Sequence, residues 1–180
     1  MGARFFMTSK TAFSLWLIPT GEVYDALENL ISDLSKRYSS PRFTPHVTLL
    51  GELTGSHEEI ETRASRLSVN LRPHAIKLTK LEYLDEYFRS LFIRVEETKE
   101  IIEANLRARE VFNRQRDPKY MPHLSILYGD FPSATKDEII KRIGRESTLS
   151  FEVRSLHLVD TSSRPEEWFT TRKFPFGSTE

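Results

Sequence analysis

The chain has 180 residues, with 26 Lys plus Arg against 26 Asp plus Glu, and so a formal net charge of zero. Apolar residues at 38% and charged residues at 29% fit one globular domain with a real core and exclude a disordered chain. The neutral balance argues against a grip on long nucleic acid, the lack of cysteine excludes disulfides, thiolate zinc sites and a thiol nucleophile, and no apolar run reaches membrane-span length.

The first ten residues, MGARFFMTSK, lack the apolar centre of a secretory signal. Phe6 stands where a myristoylation signal after Gly2 wants Ser or Thr. A soluble, cytoplasmic monomer is expected. Phe13 to Ile18 is an apolar run ended by Pro19, which predicts a buried strand. From Glu22 to Tyr38, Val23, Leu27, Leu30, Ile31 and Leu34 recur at helical spacing, and Ser39-Ser40-Pro41 ends the helix. Phe43 to Leu50 reads as a strand entered through Pro45. Ser56 to Leu67 reads as a helix, with Ser56 as N-cap and Glu59 completing a capping box. After Pro73, strands at Ala75–Tyr83 and Ser90–Glu96 are expected to pair as a hairpin. A helix follows from Lys99 to Phe112, then an Arg-rich loop from Asn113 to Lys119, then a strand from Met121 to Tyr128. A capped helix from Ser133 to Arg142 and two last strands, Leu149–Val159 and Trp168–Phe174, complete the pattern. Gly and Pro act as turn punctuation, with no linker. Residues 1–180 therefore read as a single, pseudo-symmetric, two-lobed α+β domain.

One internal repeat stands out. Pro45-His46-Val47-Thr48-Leu49-Leu50 leads to Gly51, and Pro122-His123-Leu124-Ser125-Ile126-Leu127-Tyr128 leads to Gly129, the histidines being 77 positions apart. Side chains alternate along a strand, so His46 and Thr48 share one face, as do His123 and Ser125. Each strand thus offers an imidazole and a hydroxyl together. Two such strands facing one another suit in-line phosphodiester hydrolysis, which needs a base on one side of phosphorus and an acid on the other. An imidazole serves either role near neutral pH, and the hydroxyls can donate to non-bridging oxygens. This chemistry needs no metal, and the sequence holds neither a carboxylate set for magnesium nor a zinc motif. No cofactor is expected. A lone Pro-His-Val-Thr is usually structural; the second copy is what turns the pattern into a site.

His57, His74 and His157 have no metal-like partner spacing, and His57 and His157 are expected to be solvated. Arg107, Arg109, Arg114, Arg116 and Lys119 read first as a solvated helix end and loop, and second as a basic flap for a pyrophosphate or RNA end. Arg42 carries the same two readings.

The stretches Phe13–Pro19, Pro41-Arg42-Phe43-Thr44-Pro45-His46-Val47-Thr48 and Tyr120-Met121-Pro122-His123-Leu124-Ser125-Ile126-Leu127-Tyr128 resemble the 2H phosphoesterase superfamily. They are most similar to its cyclic phosphodiesterase branch from plants and yeast. The resemblance covers nearly the whole chain. It implies a bilobal fold, an antiparallel sheet with flanking helices in each lobe, and a site in the cleft between them. It also implies hydrolysis of ADP-ribose 1'',2''-cyclic phosphate to the 1''-phosphate and of nucleoside 2',3'-cyclic phosphates to 2'-phosphates, after tRNA splicing. By the same resemblance His46 and His123 are the acid–base pair, and Thr48 and Ser125 bind phosphate. Tyr128 lines the site, and Phe88 with Tyr87 lies against base or sugar, with Trp16 a weaker candidate. Strand alternation from His123 puts Tyr128 on the wrong face, so a bulge before Gly129 is required. His123 is taken as the base for water and His46 as the acid. The expected partner is a small cyclic phosphate, not long nucleic acid or membrane. Two alternatives are an enzyme acting on oligonucleotide 2',3'-cyclic ends and a non-catalytic nucleotide or RNA-end binder. The cysteines of some plant relatives are missing, so stability rests on packing alone.

Overall fold

In the computed structural model, residues 12–177 are described; the stretch weighed above as a targeting signal lies outside them. The order is β1 (Ala12–Leu17), α1 (Gly21–Tyr38), β2 (Val47–Thr54), α2 (His57–Ser68), β3 (His74–Glu82), β4 (Leu91–Val95), α3 (Lys99–Val111), β5 (His123–Leu127), α4 (Ser133–Ile143), β6 (Ser150–Val153), β7 (Ser155–Asp160) and β8 (Phe169–Pro175). Short 3₁₀ turns at Tyr87–Arg89 and Pro165–Glu167 join β3 to β4 and β7 to β8.

The eight strands run β6-β3-β4-β5-β2-β1-β7-β8, and the pairings are antiparallel. Each expected sheet is one half of this order, and the halves meet edge to edge at β5 and β2. That seam is thin: its register is carried by Val47 opposite Leu124. Helices brace it crosswise. α1 follows β1 but packs on β5, while α3 follows β4 but packs on β2. Asn105, buried on α3, donates its Nδ2 to the Leu49 carbonyl at 2.7 Å, fixing β2 just behind Thr48.

The helices obey most of their sequence signals, but the Glu59 half of the expected capping box is not made: Glu59 Oε1 accepts from Arg63 instead. Ser56 caps α2, accepting from the Glu59 N–H at 3.2 Å. The expected cap on α4 is absent at its N-terminus, where Pro132 stands at the cap and no side chain bonds. Its C-terminus is closed by Gly144, at φ 100°, whose N–H bonds the Ile140 carbonyl.

The stretch Leu149–Val159 is two strands rather than one. β6 pairs with β3 at one edge of the order, and β7 with β1 in the other half. The apolar phase shows why. Phe151 and Val153 are buried on one phase, Leu156 and Leu158 on the other, so the alternation slips by one residue around Arg154. This break lets the chain cross between halves. It also corrects the expectation for His157, which is half-buried because β7 is flanked by β1 and β8.

Candidate active site

Both motifs flank the seam, His46 immediately before β2 and His123 opening β5. Continuing the Val47–Leu124 register by one residue each way sets His46 opposite Ser125 and Thr48 opposite His123. All four side chains line one cleft of about 490 Å³. Val47, Leu49, Leu124 and Ile126 go into the core on the other face.

The two histidine rings are oriented alike. Nδ1 of His46 lies 2.7 Å from the Thr44 carbonyl, and Nδ1 of His123 lies 2.8 Å from the Met121 carbonyl. A carbonyl only accepts, so Nδ1 carries the hydrogen and Nε2 is left bare for chemistry. The cause is local. Proline holds the residue before it extended, and that residue's carbonyl reaches the following histidine. Arg72-Pro73-His74 repeats the contact at 2.9 Å, outside the cleft. The bond therefore belongs to the X-Pro-His sequence, and only two of its three copies face the cleft.

Each motif leads at once into a bulge. Trp16 pairs with Thr48 and Leu15 with Leu50, which leaves Leu49 extra. Phe92 pairs with Ser125 and Leu91 with Leu127, which leaves Ile126 extra. Both extra residues stand three positions after the histidine, and each is followed by a second buried aliphatic. The bulge reverses the facing of the next residues along the strand. It turns Gly51 and Tyr128, each five positions after its histidine, toward the cleft. The parity objection to Tyr128 is thereby removed.

The neighbouring strands support the rings from equivalent places. Trp16, across from Thr48, stacks on His46 with centroids 3.5 Å apart and planes 6° from parallel. Phe92, across from Ser125, meets His123 at 5.1 Å and 63°. The indole face favours an imidazolium, but the same contact excludes water, and burial pushes the His46 pKa down to about 3 despite the Thr44 bond. His123, less deeply set, is lowered too, chiefly by burial and then by Arg89 and Arg94, against the Met121 bond and Glu86. Burial raises the Tyr128 phenol, so it stays a neutral hydroxyl.

The hydroxyls are not equivalent. Thr48 is half-buried in the cleft. Ser125 donates its hydroxyl to the Phe88 carbonyl at 2.9 Å. Phe88, 52% exposed, forms part of the rim.

Sequence reasoning missed Trp168 and Arg89. Trp168 comes from the β7–β8 connection, its Nε1 donating to Ser163 O, and lies 5.9 Å from the Phe88 ring across the cleft mouth. Sequence reasoning had it opening the last strand, which starts at Phe169; a tryptophan just after the polar run Ser162–Glu167 was the available signal. Conversely, the Arg-rich stretch stays out of the cleft. Arg109 bonds the Asp117 and Pro118 carbonyls, and Arg114 holds Asp117 and the Gly51 and Glu52 carbonyls. Arg42 pairs with Glu28. Among the described residues no group of three or more His, Asp or Glu is arranged to hold a metal ion, and no helix is long and apolar enough to cross a membrane.

This chain is 25% identical over 168 residues to a cyclic phosphodiesterase of Arabidopsis thaliana, covering 89% of this chain and 93% of that one. It is 29% identical over 181 residues to a 2',3'-cyclic-nucleotide 3'-phosphodiesterase of Phaeosphaeria nodorum, covering 86% and 94%. Its fold is similar to that of E. coli LigT in apo form, at TM-score 0.68 and 12% identity over 93% of this chain and 98% of that one. A model of the cyclic phosphodiesterase-like protein family matches residues 11–170, a span that holds both histidine motifs, and the chain belongs to that family, of 2H phosphoesterase type.

Proposed function

We propose that the protein hydrolyses small cyclic phosphates by metal-independent acid–base catalysis between His46 and His123. Its substrates are nucleoside 2',3'-cyclic phosphates, opened to 2'-phosphates, and ADP-ribose 1'',2''-cyclic phosphate, opened to the 1''-phosphate. The reading rests on one observation: two bare Nε2 atoms, on rings fixed by matching carbonyl bonds, share one cleft. The fungal relative's name, a 3'-phosphodiesterase, supports release of the 3' oxygen. The family resemblance implies a setting after tRNA splicing, and the location expected from the sequence is the cytoplasm.

The phosphate lies between the rings. One Nε2 takes a proton from water as its oxygen attacks phosphorus, and the opposite Nε2–H protonates the leaving sugar oxygen. His46 is the more deeply buried and the harder to protonate. That favours His46 as base and His123 as acid, the reverse of the assignment made on sequence. Thr48 donates to a non-bridging oxygen. Ser125 reaches the phosphate only by exchanging it for the Phe88 carbonyl.

The test is turnover of 2',3'-cyclic AMP in excess EDTA. Undiminished 2'-AMP formation is the expected result, and a rate restored only by added metal would refute the mechanism. Turnover confined to a short RNA with a 2',3'-cyclic end would favour the oligonucleotide reading, and binding without turnover the non-catalytic one.

The pH dependence follows from the burial of the rings. The productive free enzyme holds one neutral and one protonated imidazole. His46 stays neutral down to about pH 3. His123 is lowered below the ordinary imidazole value, so its proton is lost before neutrality. kcat/KM is expected to be highest below about pH 6.5 and to fall roughly tenfold per unit above it. A pH–rate profile with its maximum above pH 8 would contradict this.

A further inference from the structure

We propose that Arg89 makes the cleft selective for cyclic phosphates that carry a second phosphate group, away from the ring being opened. This rests on the cyclic phosphodiesterase reading and extends it to a substrate class.

The scissile ring phosphate has one negative charge, and the groups that answer it, His46, His123 and Thr48, lie beside the seam. Among the described residues lining the cleft, Arg89 is the one Lys or Arg. It stands at the rim, with 37% of its side chain exposed. Its Nε and Nη2 both meet the same Glu86 oxygen, at 2.7 and 2.5 Å. One edge of the guanidinium is thus engaged, and Nη1 makes no hydrogen bond among the described residues. Glu86 is half-exposed, so water weakens its hold on the charge. Arg89 is also the charged group that acts most strongly on His123, so its field reaches the reacting centre.

The loop carrying Arg89 is fastened. Lys136 of α4, with 2% of its side chain exposed, donates to the Leu84 carbonyl at 3.0 Å and to Asp85 Oδ1 at 2.9 Å, and lies 4.8 Å from the Tyr83 ring centroid. Ser125 holds the Phe88 carbonyl, the Gly129 N–H holds Tyr87 O, and the Leu84 N–H holds Arg89 O. Burying an ammonium is costly unless its partners are fixed, and here the result is a rigid span from Leu84 to Arg89. A guanidinium held in this way can offer a phosphate two parallel N–H donors, which a lysine cannot. Among the described residues lining the cleft the single acid is Glu52, on β2 rather than on this loop, so the cleft is polarised. A second phosphate is repelled by Glu52 and drawn to Arg89.

The test compares kcat/KM for 2',3'-cyclic AMP with that for the same compound bearing a 5'-phosphate. The wild type is expected to prefer the doubly phosphorylated substrate by roughly tenfold or more, as suits a charge-assisted contact. Arg89→Gln should collapse that ratio to near one, mainly through KM. If Arg89→Gln lowers both substrates alike and keeps the ratio, the proposal is overturned. Should that variant fail to fold, Glu86→Gln carries the test: removing the competing carboxylate should widen the ratio, and failure to widen overturns the proposal. Turnover of both substrates with equal efficiency by the wild type sinks this proposal alone. Turnover of neither sinks the underlying reading with it.

Discussion

Replacing either His46 or His123 by alanine is expected to lower kcat on 2',3'-cyclic AMP by at least about 10²-fold, the usual worth of one general acid or base. The assay is single-substrate turnover in EDTA, with the thermal midpoint of each variant measured alongside. His74 supplies the control. It has the same preceding proline and the same Nδ1 bond, to Arg72, but does not line the cleft. His74→Ala should therefore leave kcat within about twofold of wild type, while sharing whatever folding cost the lost carbonyl bond carries. An alanine variant of His46 or His123 that keeps a tenth of the activity would remove that ring from the mechanism. Equal losses in all three variants would mean that the carbonyl contact matters and the cleft does not.

The second large effect is expected at Trp16. It is 3% exposed and lies flat on His46. Trp16→Ala should cost about 3–5 kcal/mol of stability, as buried aromatic truncations do. It should also admit water to the imidazole. His46 is held near 3 chiefly by burial, so its pKa should climb by roughly two units or more toward the ordinary value near 6.5. Urea unfolding reads the first effect and an NMR titration of the His46 ring reads the second. Trp16→Phe, which keeps an aromatic face, should retain most of both. A His46 titration that stays put in Trp16→Ala would show that other contacts bury the ring. The acid limb of the rate profile should move upward with the pKa in that variant, because a base that protonates earlier is lost earlier as pH falls.

Much of this was legible in the chain because the relevant signals are local. Period-two alternation placed Thr48 with His46 and Ser125 with His123, and helical spacing bounded α1 within one residue. The requirement for a bulge before Gly129 came from counting faces. Its twin after Thr48 was equally countable, since Leu49 and Leu50 are two successive apolar residues in a strand of otherwise half-polar pattern. The features that could not be read are those that depend on the partner across the sheet. Whether Ser125 donates to a phosphate or to Phe88 O depends on where the β3–β4 loop comes to rest, and that loop is set by Lys136 on a helix forty-seven positions beyond Arg89. The split of Leu149–Val159 was encoded in the apolar phase, yet period counting across the whole run averaged the slip away. His157 looked solvated because its burial comes from β8, which no local pattern predicts to lie alongside.

The fifth position after each histidine has a bearing on which way round a substrate lies. A catalytic centre with perfect dyad symmetry would accept the same molecule in two opposed poses, and each imidazole would act as base in half of the turnovers. Here one half ends in Gly51, with no side chain, and the other in Tyr128, stacked 3.8 Å from the Phe43 ring. At this position one half of the cleft carries no side chain and the other an aromatic ring. Under the proposed mechanism, the sugar that carries the leaving oxygen and the small attacking water would meet different ends, which would give the chemistry a direction that the duplicated motif alone does not.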